Sequence, residues 1–159
     1  MAARYGSDDS VNALLQRGAD ARMRNERELS AADFARLGGV SRAPFETLNL
    51  ARSVGDEAQA VQENNRRMLA VFDMTPDRAT TVWLVHGKAV AVMTRGDAGR
   101  YRQGFDAIIT RERGLALTMR FADCVPIVLF DPVQRAIGLA HAGWRGVAEN
   151  VTAATVAAL

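Results

Sequence analysis

Residues 114–146 read GLALTMRFADCVPIVLFDPVQRAIGLAHAGWRG, and this stretch decides the fold class. Two apolar runs, Val125–Phe130 and Ala136–His141, flank the turn residues Asp131-Pro132 and predict a β-hairpin. Upstream, apolar residues alternate with the residues between them from Leu115 to Phe121, as in a strand with one buried face. The stretch therefore predicts at least three strands in sequence.

Shorter elements are predicted on both sides of this stretch. Thr81–Val85, Ala89–Met93 and Phe105–Thr110 are short apolar runs that predict further strands. One helix is predicted over 147–159, and another is predicted to begin with Asp56 as its N-cap. The apolar face of that second helix would comprise Val61, Met68, Leu69 and Phe72. Because strands outnumber helices, we expect an α+β fold, an α/β sandwich of mixed β-sheets with helices on the outer faces.

The composition is that of a globular chain with one hydrophobic core. The chain has 159 residues, of which 48% are apolar and 24% charged, and a chain of this size buries about 70% of its unfolded surface. Cys124 is the single cysteine, which excludes a disulfide framework. The net charge of +2 is scattered and aromatic residues make up only 6%, so no nucleic-acid partner is predicted.

The N-terminal stretch differs from the remainder of the chain. Residues 1–33 are polar and rich in arginine, which predicts a partly disordered lead-in. Met1–Ser10 contains no apolar signal-peptide core, and no apolar run of about 18 residues predicts a membrane helix. A free thiol without a partner is typical of a reducing compartment. We therefore expect a cytoplasmic protein with no membrane partner.

Three residues with metal-binding side chains lie at the ends of predicted elements. His86 follows a strand, Cys124 lies between two strands, and His141 lies where a strand gives way to a helix. Two imidazoles and a thiolate suit zinc or copper, and three protein ligands leave a position open. A Cys124 thiolate paired with a histidine and oriented by Asp123 would instead form a nucleophile. Their spacing also allows ordinary structural roles for all three.

Two arginines beside glycines are candidates for anion binding. Arg145 lies between Gly143 and Gly146 at the predicted start of the last helix, and Arg36 precedes Gly38-Gly39. Glycines let a ligand approach the backbone closely, and a guanidinium binds phosphate or carboxylate through two hydrogen bonds. Both arginines are also compatible with a simple solvent-exposed position, which is favoured more for Arg36 than for Arg145.

Five motifs closely resemble those of one family. They are Arg36–Ser41, Leu48–Leu50, Val85–Gly87, Ala122–Pro126 and His141–Gly146, which read RLGGVS, LNL, VHG, ADCVP and HAGWRG. The family is the YfiH type, first described as laccase-domain or multicopper polyphenol oxidases. Its members are now mostly described as purine nucleoside phosphorylases with adenosine deaminase activity.

The resemblance implies a fold and a set of site residues. The fold would be an α/β sandwich like that of the cytotoxic necrotizing factor catalytic domain. The family's metal ligands correspond to His86, Cys124 and His141, which would also be the catalytic residues and would hold zinc, with copper in some members. Apart from the resemblance, the position of Asp123 beside Cys124 would let it orient a histidine ligand or simply cap a turn. The residues implied in substrate and phosphate binding are Arg36, Ser41, Asn49 and Arg145.

The resemblance also implies the reaction and the extent of the domain. Adenosine, inosine and guanosine would be cleaved with phosphate, and adenosine deaminase and methylthioadenosine phosphorylase activities would accompany this. The resemblance covers Phe34 to Leu159, so residues 34–159 would be the N-terminal part of one domain that continues further in the family.

Other functions stay open at this point. Cys124 with a histidine would fit a Cys–His hydrolase acting on peptidoglycan-type amides. A copper-dependent polyphenol oxidase is disfavoured, because the chain has only two histidines. An inactive fragment is the non-enzymatic alternative. The sequence does not indicate an oligomeric state, and the expected partners are a small-molecule nucleoside and phosphate.

Overall fold

The computed structural model describes residues 38–159. The predicted lead-in over residues 1–33, its boundary at residue 34 and the candidate Arg36 lie outside the described residues. The chain forms two compact units, of which the first ends at Asp73 and the second spans Met74–Leu159. The single-domain organisation of residues 34–159 stays a prediction. Within residues 38–159, no helix combines the length and apolar character needed to cross a membrane.

Helix α1 spans Ala58–Ala70 in the first unit. Its N-cap is Glu57, which makes no side-chain capping hydrogen bond, so the prediction that Asp56 caps this helix is wrong. The Asp56 carboxylate instead accepts hydrogen bonds from Ser41 Oγ at 2.6 Å and Asn49 Nδ2 at 2.9 Å. The other carboxylate oxygen accepts the amide of Glu57 at 2.8 Å, so both oxygens have partners before the helix begins at Ala58.

The buried face of α1 matches the predicted one in part. Val61 and Leu69 are buried and Met68 is half-buried, whereas Phe72 lies beyond the end of the helix and is 40% exposed. Asn64 takes a place on the buried face that the apolar pattern did not indicate.

The second unit contains two β-sheets. Their strands are β1 Ala79–Trp83, β2 Val90–Val92, β3 Tyr101–Gln103, β4 Ala107–Thr110, β5 Ala116–Leu117, β6 Val125–Asp131 and β7 Ala136–Ala142. One sheet is three-stranded and parallel, in the order β3-β1-β5, and the other is four-stranded and mixed, in the order β2-β4-β7-β6. Of two single-turn 3₁₀ helices, Pro76–Arg78 precedes β1 and Arg95–Asp97 lies between β2 and β3.

The predicted hairpin is confirmed. Strands β6 and β7 pair in antiparallel fashion, from Asp131 opposite Ala136 to Val125 opposite Ala142. Asp131 Oδ1 accepts the amides of Val133 and Gln134 and so closes the turn. The turn chemistry that the sequence indicated is therefore formed by the aspartate side chain.

Other strand predictions are wrong in detail. Of the predicted strand from Leu115 to Phe121, only Ala116–Leu117 forms a strand, beside which the Thr118 amide donates to the Thr80 carbonyl. Leu115, Met119 and Phe121 are nevertheless buried. Alternation predicted which side chains are buried, but burial does not require a hydrogen-bonded partner strand. Strand β3 was not predicted, because Tyr101–Gln103 is short and largely polar.

The predicted last helix is two helices. α2 spans Trp144–Ala148 and α3 spans Val151–Ala158. Asn150 separates them with φ 64°, a left-handed conformation that asparagine adopts more readily than most residues. Its side chain accepts the amide of Ala153 and so caps α3.

The two sheets enclose the main core of the second unit. Its buried members are Val82, Ala91, Met93, Ile108, Leu115, Met119 and Phe121. On the other face of the four-stranded sheet, Val151 of α3 packs with Ala107 and Ala140. This mixed arrangement, with a helix on an outer face, confirms the predicted α+β class.

Candidate metal centre

Strand register brings the ends of three neighbouring segments to one edge of the four-stranded sheet. Ala107 of β4 lies opposite Ala140 of β7, which places Asp106 beside His141. Val125 of β6 lies opposite Ala142, which places Cys124 at the same edge. The backbone amide of His141 donates to the Asp106 carbonyl at 2.7 Å and continues this pairing.

His86, Cys124 and His141 converge at this edge. Each offers one ligand atom, and the three atoms lie within 4.8 Å of one another. The two imidazole rings meet edge to face, with their centroids 4.8 Å apart. His141 is 3% exposed, while Cys124 is half-buried and His86 is exposed. The centre therefore has a buried side and a side open to a ligand.

His86 lies in a tight loop that follows β1. Its φ is 62°, which a residue with a side chain rarely adopts. The backbone amides of Val85, His86 and Gly87 all point at the carboxylate of Asp106, at distances of 3.1, 2.9 and 2.7 Å. These hydrogen bonds hold the loop in its left-handed turn.

Asp106 also contributes to this centre, although the sequence motifs did not indicate it. Its side chain is fully buried, and Oδ1 lies 2.8 Å from His141 Nδ1. A carboxylate at Nδ1 leaves Nε2 as the nitrogen available to a metal. The sequence contained one indication of this role. Asp106 is the single charged residue in the apolar run Phe105–Thr110, and a carboxylate buried in such a run needs hydrogen-bonding partners.

Asp123 has a different contact from the one expected. Its Oδ1 lies 3.7 Å from Cys124 Sγ, and the carboxylate that contacts a histidine ring is that of Asp106. Desolvation raises the pKa of the Cys124 thiol above its ordinary value, and the negative charge of Asp123 raises it further. This is the opposite of the electropositive surroundings that activate a cysteine nucleophile. A bound cation would offset both effects.

Gly143 lies directly beneath the three ligand side chains. A Cβ at this position would lie 3.1 Å from His86 Cδ2, 3.2 Å from Cys124 Sγ and 3.5 Å from His141 Cε1. A Cβ at Gly146 would lie 3.0 Å from the carbonyl oxygen of Gly87. Both glycines of the HAGWRG motif therefore leave room for the centre and its loop.

The residues present fit a transition-metal ion. Two imidazoles and one thiolate, with ligand atoms within 4.8 Å of one another, form a donor set that suits zinc or copper. Three protein ligands leave a fourth position for substrate or water. The carboxylate behind His141 is the partner that metal-binding histidines usually have.

The other predicted site residues lie in different surroundings. Arg145 is exposed on α2, and its guanidinium carbon lies 5.0 Å from the centre of the Trp144 ring. Ser41 and Asn49 lie in the first unit, where both donate to the Asp56 carboxylate. Arg36 lies outside the described residues.

Asn64 organises the loop that carries Ser41 and Asn49. This asparagine is fully buried, and its Oδ1 accepts the Val40 amide at 2.9 Å. Its Nδ2 donates to Ser41 Oγ at 2.8 Å, to the Asn49 carbonyl at 2.9 Å and to the Thr47 carbonyl at 3.2 Å. The side chains of Ser41 and Asn49 are therefore part of one hydrogen-bond network with Asn64 and Asp56.

Comparison with known proteins places the chain in a family. Residues 30–159 match the model of the family described as multi-copper polyphenol oxidoreductase laccase, and the chain belongs to it. This confirms the resemblance drawn from the motifs. A purine nucleoside phosphorylase of Streptomyces coelicolor is 45% identical over 126 residues, which are 78% of this chain and 51% of that protein.

Two solved structures share the fold. YlmD from Geobacillus stearothermophilus has a TM-score of 0.69 at 37% identity, over 72% of this chain and 45% of that chain. The Bacillus licheniformis protein YfiH has a TM-score of 0.72 at 31% identity, over 76% of this chain and 48% of that chain. The chain spans about half the length of the curated relatives it matches.

Proposed function

We propose that this chain acts as a purine nucleoside phosphorylase at the centre formed by His86, Cys124 and His141. The observation that carries the proposal is the convergence of three ligand atoms within 4.8 Å. Support comes from relatives that match most of the chain and bear the name purine nucleoside phosphorylase. Adenosine, inosine and guanosine are the proposed substrates.

The reaction sets three requirements for the site. A phosphate oxygen bonds to C1′ of the ribose while the bond from C1′ to N9 breaks, and the purine leaves with the bonding electrons and takes up a proton. The products are ribose 1-phosphate and the free base. The site must therefore hold an anion, offset positive charge on the ribose, and supply that proton.

The chain's own residues meet part of these requirements. The exposed guanidinium of Arg145 offers paired donors to phosphate oxygens, and Arg36 is proposed for the same role from its motif. Asp106 holds His141 by Nδ1, so that Nε2 faces the centre. Gly143 keeps the space between the ligands free of a side chain.

His86, Cys124 and His141 would hold the metal, which we propose is zinc, with copper as the alternative. A divalent ion there would supply Lewis-acid chemistry near the open position. Adenosine deamination, in which water replaces the amino group at C6 and ammonia leaves, is proposed as a second activity of the centre. Phosphorolysis of methylthioadenosine is proposed as a third.

Cys124→Ala tests the proposal, with Val133→Ala as the control because Val133 is 88% exposed at the hairpin turn. Each chain is incubated with inosine, with and without phosphate, while hypoxanthine, ribose 1-phosphate and bound metal are measured. We expect phosphate-dependent turnover and bound metal in the parent and control chains, and loss of both in Cys124→Ala. Unchanged metal and turnover in that variant would contradict the proposal, as would a parent chain without turnover.

The same assay separates the alternatives. Adenosine as substrate reports deamination through release of ammonia and inosine, and methylthioadenosine reports the third activity through release of adenine. Turnover that survives chelation but ends when Cys124 is alkylated would favour a Cys–His hydrolase. Oxidation of a phenol that depends on copper would favour the oxidase function.

A further inference from the structure

We propose that Asp106 is the positioning residue of this centre, and that it fixes both the His86 loop and the His141 ring before any metal binds. The inference rests on the proposed function only in taking His86, Cys124 and His141 as the ligands. One carboxylate thereby controls two of the three ligand side chains, which come from distant parts of the sequence.

The hydrogen bonds of Asp106 are divided evenly between its two oxygens. Oδ1 accepts the His86 amide at 2.9 Å and faces His141 Nδ1 at 2.8 Å. Oδ2 accepts the amides of Val85 and Gly87 at 3.1 and 2.7 Å. A carboxylate has about four acceptor sites, so these four donors saturate it.

The charge of Asp106 determines which nitrogen of His141 carries a proton. An ionised carboxylate only accepts hydrogen bonds, and this carboxylate is fully buried, where an unpaired charge would be strongly unfavourable. Three backbone amides already donate to this carboxylate, so it is placed to accept from His141 Nδ1 as well, which directs Nε2 to the metal. The ring has the ligand tautomer already in the metal-free protein.

The same carboxylate sets the conformation of the His86 loop. Three consecutive amides, from Val85 to Gly87, converge on one anion, an arrangement that forms an anion-binding concavity in the backbone. His86 has φ 62° within it, and such a conformation persists where the surroundings over-determine it. Without the carboxylate, three amide groups would lose their acceptor, and the hydrogen bonds that hold the loop in this conformation would be lost.

The backbone of Asp106 is held independently of its side chain. Its amide donates to the Ala89 carbonyl at 3.0 Å, and its carbonyl accepts the His141 amide at 2.7 Å. Changing the carboxylate therefore leaves strand pairing at this edge in place. This separates the effect on ligand positions from the effect on the sheet.

Asp106→Asn is the variant that tests the role. Its amide has one oxygen, so in either orientation two of the four donors face an NH₂ group. The matched control is Asp131→Asn, because Asp131 accepts the amides of Val133 and Gln134 in a turn remote from the centre. We expect zinc affinity to fall about 10–100-fold in Asp106→Asn and to stay unchanged in Asp131→Asn.

Cobalt binding and amide exchange show whether position or stability is affected. With Co²⁺ as the probe, we expect the thiolate-to-cobalt and d–d absorption bands to change in Asp106→Asn and not in the control. In the metal-free chains, we expect faster hydrogen exchange of the Val85, His86 and Gly87 amides in Asp106→Asn. Parental affinity together with parental cobalt bands in that variant would overturn the proposal.

The tautomer of His141 decides the question even if Asp106→Asn does not fold. Nitrogen-15 NMR of the metal-free parent chain distinguishes the two ring nitrogens, and only two histidines need assignment. We expect the neutral ring of His141 to carry its proton on Nδ1, and a neutral ring that is protonated on Nε2 would overturn the proposal. None of these measurements uses a nucleoside, so they test the positioning role separately from the proposed function. If Asp106 positions the ligands but inosine is not cleaved, only the proposed function is refuted.

Discussion

Replacing Gly143 with alanine tests whether free space beneath the centre is what the HAGWRG motif provides. Gly143 has φ −71° and ψ 166°, which alanine adopts without strain, so the substitution acts through its methyl group alone. That group would lie 3.1 Å from His86 Cδ2 and 3.2 Å from Cys124 Sγ. Carbon atoms in ordinary contact are about 3.5–4.0 Å apart, so both ligands must move by a few tenths of an ångström.

The displacement is small for the fold and large for a metal site. His86 is exposed and can yield, and alanine in place of glycine stabilises by about 0.4–1 kcal/mol through the unfolded chain. Overpacking typically costs about 1–3 kcal/mol, so we expect a net loss of about 1 kcal/mol in the free energy of unfolding. Metal–ligand distances tolerate only about ±0.2 Å, and we expect zinc affinity to fall about 10–100-fold, as for other residues that support ligands.

Competition with a chromophoric chelator measures the affinity, and denaturant unfolding of the metal-free chain measures the stability. Gly96→Ala is the matched control, because its added Cβ would meet Thr94 Oγ1 at an ordinary 3.4 Å. It should leave zinc affinity unchanged and raise the free energy of unfolding by about 0.4–1 kcal/mol. Parental zinc affinity in Gly143→Ala would refute the steric argument. A loss of more than about 3 kcal/mol in stability would show instead that Gly143 serves the fold.

Two further predictions concern the first unit. Asn64→Ala removes the hydrogen-bond partner of the Val40 amide, of Ser41 Oγ and of the Asn49 carbonyl. We therefore expect a loss of about 2–4 kcal/mol in the free energy of unfolding, and no change in the control Gln62→Ala, whose side chain is exposed. A loss below about 1 kcal/mol in Asn64→Ala would contradict this prediction. Hydrogen bonds from Ser41 and Asn49 lower the pKa of Asp56, so its stabilisation is complete above the ordinary value of 3.8 and lost as pH falls through the lowered pKa. Unfolding at pH 5 and pH 3 should show a smaller acid-induced loss in Asp56→Asn than in the parent chain, and equal losses would exclude this role.

The sequence predicted the elements whose signals are local. The β6–β7 hairpin follows from two apolar runs and a turn at Asp131-Pro132, and the pairing confirms it. The break at Asn150 was not predicted, because an alanine-rich segment has the same helical propensity on both sides of it. Strand β3 was missed because pairing with β1 is set by tertiary contacts that its short polar sequence does not show.

The three candidate metal ligands could be predicted from the sequence, whereas the residue that holds them in position could not. His86, Cys124 and His141 are the residue types that bind metals, and their motifs are specific. The role of Asp106 depends on two relationships that only the folded chain contains, the register of β4 against β7 and the approach of the His86 loop. In the sequence, this arrangement is indicated only by an acidic residue, Asp106, within an apolar run.

The donor inventory bears on which of the family's two descriptions suits this chain. The chain contains two histidines and one cysteine in all, and the same three residues form the cluster at the sheet edge. These 159 residues contain no further histidine or cysteine for a second centre with imidazole and thiolate ligands. Oxidation of phenols by several coppers needs more than one such centre. A single metal with an open position instead suits chemistry in which charge is stabilised and no electrons are passed between metals. These residues thus provide one candidate centre, and the inosine assay tests which reaction it carries out.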